Sequence, residues 1–262
     1  MTDTPLRAKL AAALASRDKR MIRRRLTNPH SASSSNLIDF QSNDYLSLSS
    51  SNLLRNLFLK KLNNAPDILG AGGSRLLVNG KAHMDLEERF CKMFQSEAAL
   101  LFTSGYDANT GFFSSIAQSG DVIVYDEHIH ASVFDGMRSS RVRDALFPFS
   151  HNSLQSMQDV LTKLLEDRPG LCSGANSVFV AVESVYSMEG TFAPLLGIVE
   201  LLEYLFPRGN AHFVVDEAHA TGIYGPQGKG RVAQLGLESK VFARFLTFGK
   251  ALAVSGGTYP HG

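Results

Sequence analysis

The amino-acid sequence predicts a three-layer α/β domain built on a mainly parallel sheet. Strand-like and helix-like segments alternate along most of the chain, as they do in successive βαβ units. The strand-like segments are short, apolar on both faces and rich in β-branched residues, which is typical of a parallel sheet buried between two layers of helices. These segments are "AALLF", "DVIVYD", "SVFVAVES", "AHFVVDE" and "VFARFLTF".

The N-terminal segment, residues 6–26, is basic and predicts an amphipathic surface helix. Its arginines resemble those of a mitochondrial transit peptide. However, Asp3 and Asp18 are acidic, and the serines come only afterwards, at residues 31–35. We therefore interpret this segment as a surface or dimer-contact helix with a charged face.

The remaining elements follow in order. "LIDFQSNDYLSLSS" predicts a short extended piece and a turn, "GAGGSRLLVNG" (residues 70–80) predicts irregular backbone, and residues 84–95 predict an amphipathic helix. We divide the chain into residues 1–35, a basic helix and serine-rich loop, and residues 36–262, the α/β domain. The helix-like stretches between the strands are residues 110–118, 130–138, 153–166 and 194–206.

The bulk composition is that of an ordinary globular protein. The chain has 262 residues, a net charge of +1 and 44% apolar residues, which gives no reason to expect nucleic acid or a membrane as partner. Its apolar runs are too short to span a bilayer. Cys91 and Cys172 lack the spacing of a CxxC or zinc motif, so we expect two buried, reduced cysteines. The prediction is an intracellular, cytoplasmic protein, with the peroxisome and the mitochondrion left open.

The residues that follow each strand indicate function, because ligands of such sheets bind at the carboxyl ends of the strands. "LLFTSGYDANTG" carries Thr103, Ser104, Gly105 and Tyr106 between a strand and a helix start. Small residues there free backbone N–H groups, and the helix dipole favours an anion such as phosphate. Many strand-to-helix turns carry Ser-Gly without a ligand, so this segment alone does not decide the matter.

A second strand end, "VYDEHIHAS", carries Asp126, Glu127, His128 and His130. Histidine and carboxylate could bind a metal, but no further ligands follow at a suggestive spacing, so we predict no metal site. His130 is interpreted either as a turn histidine or as an imidazole lying over an aromatic ligand.

Asp216 and Lys250 are the most informative residues. Asp216 ends an apolar strand, where a carboxylate is costly unless it meets a cation or good donors. The pyridinium nitrogen of pyridoxal phosphate (PLP) would be such a cation, whereas the alternative is a turn or N-cap aspartate. Lys250 lies among small residues, as expected of a partly desolvated amine that forms a Schiff base beneath a bulky ligand. Thr247 could give its hydroxyl to the phosphate.

Several long motifs occur in one order from about residue 36 to residue 257. They are "SNDYLSL", "GAGGSRLLVNGKAHMDLE", "LFTSGYDANTG", "DEHIHAS", "ESVYSMEGTFAPL", "VVDEAHATGIYGPQGKG" and "TFGKALAVSGG". With them the chain resembles the α-oxoamine synthase family of fold-type I PLP enzymes, and within it the 8-amino-7-oxononanoate synthase branch. The resemblance implies that residues 36–262 are the large domain of a PLP-dependent transferase.

The resemblance also implies roles for individual residues. Lys250, Asp216 and His130 would be catalytic. Lys250 would bind the cofactor as a Schiff base and later move protons at the substrate Cα. Asp216 would pair with the pyridine nitrogen, and His219 would hydrogen-bond the phenolic oxygen. His130 would stack on the ring and lie near the substrate.

Five further residues complete the implied site. Gly105, Tyr106 and Thr247 would bind the phosphate, and Ser187 would contact the cofactor. Asn43 would lie near the substrate.

The implied reaction is the decarboxylative condensation of an amino acid, L-alanine by analogy, with a pimeloyl-type acyl thioester carried by CoA or a carrier protein. The product would be 8-amino-7-oxononanoate, and the enzyme would be a homodimer. Gly249 in "TFGK" favours this branch, whereas aminolevulinate synthase, aminoketobutyrate ligase and serine palmitoyltransferase (SPT) share the rest of the site. Catalytically inactive SPT subunits lack the lysine, so Lys250 argues against that class.

The sequence departs from the family after Gly257. Family members continue with the return of the central sheet and with a C-terminal domain, and we expect both to be missing here. The chain is therefore interpreted as C-terminally truncated, either the main part of a PLP acyltransferase or an inactive form that binds only cofactor or a partner subunit. A dinucleotide-binding oxidoreductase is excluded because "GAGGSRLLVNG" neither follows a clear strand nor opens a helix.

Overall fold

The computed structural model of the chain describes residues 4–25, 38–66, 68, 70 and 72–261. The chain divides into two compact units, Met1–Gln41 and Ser42–Gly262. The predicted boundary between residues 35 and 36 lies outside the described residues and stays a prediction.

The first unit contains helix α1, Pro5–Lys19. The Thr4 side chain accepts a hydrogen bond from the backbone N–H of Arg7 and caps the helix start. Near its end, Asp18 forms an exposed ion pair with Arg23 at 2.6 Å. The helix ends earlier than predicted, and its apolar side chains are spread around its circumference rather than gathered on one face. The expectation of an amphipathic helix over residues 6–26 is therefore wrong in both extent and pattern.

The second unit alternates helices with strands. Its helices are α2 Asn52–Asn63, α3 Lys81–Phe94, α4 Gly105–Ser115, α5 Ala131–Arg138, α6 Leu154–Asp167, α7 Pro169–Ser173, α8 Leu195–Leu205 and α9 Arg231–Gln234. Its strands are β1 Ala98–Phe102, β2 Val122–Asp126, β3 Leu146–Phe149, β4 Val178–Glu183, β5 Val185–Tyr186, β6 Thr191–Phe192, β7 Ala211–Asp216, β8 Ala243–Thr247 and β9 Gly257–His261. Short 3₁₀ turns lie at Leu48–Ser50, Pro226–Gly228 and Glu238–Lys240.

The main sheet of the described chain has the order β1-β9-β8-β7-β4-β2-β3, while β5 and β6 form a separate hairpin. Within the main sheet β9 runs antiparallel to both of its neighbours, and the other strands are parallel to one another. All five predicted strands are present, whereas β3 and β9 were missed. Each contains a proline, Pro148 and Pro260, which weakens the strand signal.

Strand β9 corrects one expectation from the sequence. The return of the central sheet was expected to be missing, yet β9 lies between β1 and β8. Tyr259 is opposite Leu100 on one side, and Thr258 is opposite Leu246 on the other. The sheet therefore has no gap between its first strand and the strand that precedes Lys250.

Helices cover both faces of the sheet, which confirms the three-layer α/β fold. Because side chains alternate along a strand, Val122 and Val124 face one core while Ile123 faces the other. Helices α6 and α8 supply Leu161 and Ile198 to the first core. The second core is closed by α4 and α5, with Phe112, Phe113, Val133 and Met137.

The structure also tests two expectations drawn from the composition. Cys91 is half-buried and Cys172 is exposed, and both thiols are free, so the expectation that both are buried is wrong. Among the described residues, no helix combines the length and the apolar character needed to span a membrane.

The position of β9 predicts a cost for losing the Thr258 hydroxyl. Thr258 is fully buried, and its hydroxyl donates to the Leu100 carbonyl of β1 at 2.9 Å. Thr258→Val should lower the free energy of unfolding by about 1–2 kcal/mol, because it leaves a buried acceptor with one partner fewer. Urea denaturation measures the change. Ser255→Ala, which removes an exposed hydroxyl nearby, is the matched control. Equal effects of the two substitutions would contradict the central position of β9.

Candidate active site

The site is organised around Asp216, the last residue of β7. Its side chain is buried, and its two oxygens accept hydrogen bonds from Asn109 Nδ2 at 2.7 Å and from the backbone N–H of Ala218 at 2.8 Å. Asn109 comes from α4, so the carboxylate is oriented by a neighbouring helix as well as by its own turn. A buried carboxylate is stable only with such donors or with a cation.

A chain of hydrogen bonds leads from Lys250 to Asn43. Lys250 Nζ lies 2.9 Å from His219 Nε2, and His219 Nδ1 lies 2.8 Å from Tyr45 Oη. The Tyr45 hydroxyl in turn donates to Asn43 Oδ1 at 3.0 Å. In one arrangement that satisfies every link, the Lys250 amine donates to a neutral His219 ring that lacks a proton on Nε2. His219 then donates from Nδ1 to Tyr45.

Burial lowers the pKa values of two residues in this chain of hydrogen bonds, Lys250 and His219. Burial lowers the pKa of the Lys250 amine, although Asp216 and Glu183 act in the opposite direction. Burial, with the nearby charge of Lys250, lowers the pKa of His219 to about 4. His219 is therefore neutral near pH 7, in agreement with its hydrogen bonds. A lowered pKa also increases the fraction of Lys250 that is present as the nucleophilic free amine.

The start of α4 forms a small concave surface with β8 and β9. Ser104 caps the helix by accepting from the backbone N–H of Asp107 at 3.0 Å. A Cβ atom on Gly105 would lie 2.0 Å from Thr247 Oγ1, and one on Gly257 would lie 2.7 Å from the Gly105 nitrogen. Only glycine allows these three segments to approach so closely. Gly105 and Thr247, which are expected to bind the phosphate, therefore lie close together at a helix N-terminus.

Tyr106, the third predicted phosphate residue, has a partner of its own. Its hydroxyl donates to the Asp135 carboxylate of α5. That hydrogen bond raises the pKa of Tyr106 above its ordinary value. Its ring lies edge-on to the His130 ring, with the centroids 6.4 Å apart.

His130 is connected to Asp216 through two side chains. His130 Nδ1 lies 2.7 Å from Ser132 Oγ and also accepts from the Ser132 backbone N–H. Asn109 Nδ2 donates both to Ser132 Oγ at 3.0 Å and to Asp216. The ring that the sequence predicts to stack on the cofactor and the carboxylate predicted to pair with it are thus held in one network.

Ser187 and the polar residues after β2 lie in turns at the ends of strands. Ser187 is exposed in the turn between β5 and β6. The Asp126 carboxylate, considered in the sequence as a metal ligand, accepts hydrogen bonds from the backbone N–H groups of His128 and Asn152 and contacts the His151 ring. Donors within the protein therefore occupy this carboxylate.

Glu183 is a site residue that the sequence analysis missed. It is buried at the end of β4, directly opposite Asp216 in the sheet register. Burial, together with the Asp216 charge, raises the pKa of Glu183 to about 8. Glu183 therefore keeps its proton near pH 7, because a second buried negative charge beside Asp216 would be repelled.

Sequence reasoning also missed Tyr45 and Asn109. Both lie inside motifs that were recognised, "SNDYL" and "YDANTG". Only the fold reveals their contacts, because Tyr45 and His219 are 174 residues apart in the sequence, and Asn109 and Asp216 are 107 apart.

These residues fit PLP. Asp216 provides an anion for a ring nitrogen, Lys250 an amine of lowered pKa for the aldehyde, and the α4 N-terminus a surface for the phosphate. The space that a Cβ on Gly105 would fill is bounded by the Thr247 hydroxyl.

A separate cavity of about 700 Å³ lies between α3 and the segment after Lys250. Its lining is mostly apolar and includes Leu86, Phe90 and Leu252. Of the residues that the sequence places in the candidate phosphate turn only Thr103 lines it, and Asp216, His219 and Lys250 do not.

Gly105→Ala tests the close approach of α4 to β8. The added methyl group would overlap Thr247 Oγ1, so we expect a loss of about 1–3 kcal/mol in the free energy of unfolding. Thr247→Ala removes the nearest atom, and the double variant should therefore lose less than the sum of the single variants. Chemical denaturation gives all three values. Gly73→Ala is the control, because its Cβ would meet only Val78 at an ordinary 3.6 Å. Strict additivity would refute the overlap.

Glu183→Gln should change how stability depends on pH. The folded chain keeps the Glu183 proton up to a pKa of about 8, whereas the unfolded chain releases it near 4.5. The wild-type free energy of unfolding therefore falls as pH rises between these values, and glutamine removes that loss. Relative to the variant, wild type should lose at least about 1.4 kcal/mol between pH 5 and pH 8, the equivalent of one pKa unit.

Urea denaturation at the two pH values measures this difference. The lowered pKa of His219 gives the opposite trend between about pH 4 and 6.5, but it is common to both proteins and cancels. Glu166→Gln, at an exposed position of α6, is the control. A variant with the same pH dependence as wild type would show that the Glu183 carboxyl is ionised in the folded protein.

Comparisons with known proteins agree with this geometry. The chain is 48% identical over 261 residues to an 8-amino-7-oxononanoate synthase of Emericella nidulans, which covers 98% of this chain and 62% of that protein. It is 41% identical to the aminoacyl transferase sphA of Byssochlamys spectabilis, over 84% of this chain and 47% of that protein. A high-resolution structure of SPT with a PLP internal aldimine superposes with a TM-score of 0.71 and 28% identity, over 84% of this chain and 52% of that one.

The chain thus spans about half to three fifths of the length of the proteins it matches. The folds of these relatives agree with a fold-type I large domain, and the PLP-bound neighbour supports PLP as the cofactor. The family "Aminotransferase class I and II" matches residues 35–259. Since this match covers most of the chain, the chain belongs to the class I and II aminotransferase family.

Proposed function

We propose that Lys250 binds PLP covalently and that the protein is an acyltransferase of the α-oxoamine synthase class. The observation that carries the proposal is the half-buried Lys250 amine, hydrogen-bonded to His219 at the edge of the sheet where Asp216 ends β7. This arrangement has a nucleophile, a neutral base and an oriented carboxylate in one place. The likeness to 8-amino-7-oxononanoate synthase supports the same class.

When bound, PLP would supply an electron-withdrawing ring that stabilises negative charge at the substrate Cα. Lys250 is the group that would bind it and move a proton at that carbon, because its lowered pKa makes the free amine available. His219 accepts the hydrogen bond of the lysine and so orients the Lys250 Nζ. Tyr45 and Asn43 continue the chain of hydrogen bonds from His219 to the side of the site where we place the substrate.

The other residues would hold the cofactor and orient it. Asp216, held by Asn109, would face the ring nitrogen, and the His130 ring would cover one face of the cofactor. Gly105 and Thr247 would bind the phosphate at the start of α4, where the helix dipole favours an anion. Ser187, exposed on the β5–β6 hairpin, would contact the cofactor as well.

The reaction we propose joins L-alanine to a pimeloyl-type acyl thioester. The amino acid loses its carboxyl group as CO₂, its Cα forms a bond to the acyl carbonyl carbon, and the thiol leaves with a proton. The product is 8-amino-7-oxononanoate, which places the protein in biotin synthesis. The 48% identity to a synthase of that name is the support for this choice of substrates.

A second candidate is another member of the same class with a different amino acid or a longer acyl chain. The 41% identity to an aminoacyl transferase and the likeness to SPT structures favour it. A third reading is a chain that binds PLP or a partner subunit without turnover. A homodimer and an intracellular location belong to the proposal in every case.

The first test is a titration of the chain with PLP. We expect a visible absorbance band from the Schiff base, and borohydride should bleach it and fix the cofactor on the peptide that contains Lys250. Lys250→Ala should show neither the band nor the fixed cofactor, whereas Lys163→Ala, at an exposed position of α6, should show both. Mass spectrometry of the reduced protein identifies the modified lysine.

Turnover assays separate the candidates. Release of free thiol with L-alanine and pimeloyl-CoA, in preference to L-serine and palmitoyl-CoA, would support the oxononanoate reaction. The reverse preference would favour the second candidate, and cofactor binding without thiol release would favour the third. If the reduced cofactor is found on a lysine other than Lys250, the proposal is wrong.

A further inference from the structure

A cluster of polar side chains outside the Lys250 site joins three loops. We call it the His151 cluster, and it consists of Asp126, His128, His151, Tyr186 and Thr191. Its members come from the end of β2 and the turn after it, from the turn after β3, and from the β5–β6 hairpin. The function proposed above uses none of them.

Asp126 is the buried acceptor of the cluster, with a fully buried side chain. One carboxylate oxygen accepts from the backbone N–H of His128 and from His151 Nδ1, each at 2.9 Å. The other oxygen accepts from the backbone N–H of Asn152 at 2.8 Å. Burial, followed by the charge of the nearby Asp126, raises the pKa of Tyr186 above its ordinary value. The carboxylate thus connects the turns after β2 and β3 with the hairpin.

His151 is the side chain that touches all three loops. Its Nδ1 contacts Asp126, and its Nε2 lies 2.8 Å from the hydroxyl of Thr191 in β6. Its ring lies edge-on against Tyr186 in β5, with centroids 4.6 Å apart, and stacks on His128 at 4.4 Å. Because both ring nitrogens and one face of the ring have partners, these contacts fix the orientation of the His151 ring.

The hairpin is attached to the turn after β2 by a second contact. His128 Nδ1 lies 3.3 Å from Glu189 Oε1 in the turn of the hairpin, although this pair is partly exposed and contributes little by itself. Ser187 lies in the same turn as Glu189, and His130 follows His128 by two residues. The cluster therefore determines the distance between the segments that carry Ser187 and His130.

We propose that His151 is a positioning residue that holds the Ser187 hairpin against the segment carrying His130, so that both side chains face one bound cofactor. This inference rests on the proposed PLP site, because it assumes that Ser187 and His130 both contact PLP there. His151 itself acts through the two loops, because its ring nitrogens are occupied by Asp126 and Thr191.

Substitutions of His151 can separate its polar contacts from its packing. His151→Phe keeps an aromatic ring against Tyr186 and His128 but removes the contacts to Asp126 and Thr191 and a third, from Asn152 Nδ2 at 3.1 Å. His151→Asn keeps a donor close to the Nδ1 position and so preserves the Asp126 contact in part. His212→Phe is the matched control, because His212 is also half-buried and contacts one hydroxyl, that of Ser177, at the opposite end of the sheet.

The first measurement needs no cofactor. Hydrogen exchange followed by mass spectrometry should show exchange at least about tenfold faster for the hairpin and for residues 127–130 in His151→Phe than in wild type. The amide of Gly190, bonded to the Tyr186 carbonyl at 2.8 Å, is the reporter within the hairpin. His151→Asn should exchange at an intermediate rate, and His212→Phe should leave both segments unchanged.

The second measurement is PLP affinity. His151→Phe should raise the dissociation constant about five- to tenfold, as expected for the loss of one or two hydrogen bonds, with His151→Asn in between. Ser187→Ala should weaken binding in wild type but add little in His151→Phe, because the serine is then no longer held in place. His212→Phe should leave affinity unchanged even if it lowers the melting temperature.

The two measurements test the proposed function and the positioning role of His151 separately. Absence of PLP binding by wild type would overturn the proposed function. Unchanged exchange of the hairpin in His151→Phe would overturn the positioning role, whatever the affinity. Faster exchange with full additivity of His151→Phe and Ser187→Ala would also overturn it, since His151 would then not act through the hairpin.

Discussion

The structure depends on one constraint, the need to place a half-buried lysine amine and two buried carboxyl groups at the same edge of a parallel sheet. Ionised groups away from water are costly unless opposite charges or good donors surround them. The register of β4 against β7 brings Glu183 level with Asp216, and β8 leads directly to Lys250. The sheet therefore sets the charges of the site before any ligand is considered. Glu183, with its pKa raised to about 8, stays protonated, and this removes one negative charge from the group.

The network around Asp216 and the chain from Lys250 to Asn43 have different supports. Asp216, Asn109 and Ser132 are buried and come from a strand and two helices, which are rigid elements. Tyr45 and Asn43 are exposed and lie before the first helix of the second unit. The part of the site that would hold the cofactor is thus built on the core, whereas the part on the substrate side is built on a loop. A division of this kind allows substrate preference to change without disturbing cofactor binding, because loops tolerate change better than buried elements.

The sequence predicted the features that depend on local pattern. Apolar runs with β-branched residues identified five strands, and the residues following them included Gly105, His130, Asp216 and Lys250. It did not predict β3 and β9, whose prolines weaken the strand pattern, nor the contacts of Tyr45 and Asn109, whose partners are distant in the sequence. Glu183 was missed for another reason. A carboxyl group at the end of a strand has no local signature of its protonation, which arises from its neighbour across the sheet.

The neutral His219 follows from its neighbours as well as from its burial. A positively charged imidazole 2.9 Å from the Lys250 amine would place two cations in contact, and its Nε2 could no longer accept the hydrogen bond of the lysine. Burial is the largest cause of both lowered pKa values, and the charge of Lys250 lowers the pKa of His219 further. Glu183 is in the opposite situation, since burial and the Asp216 charge raise its pKa and keep it protonated near pH 7. A site that combines an amine of lowered pKa with a carboxyl group of raised pKa is suited to moving protons.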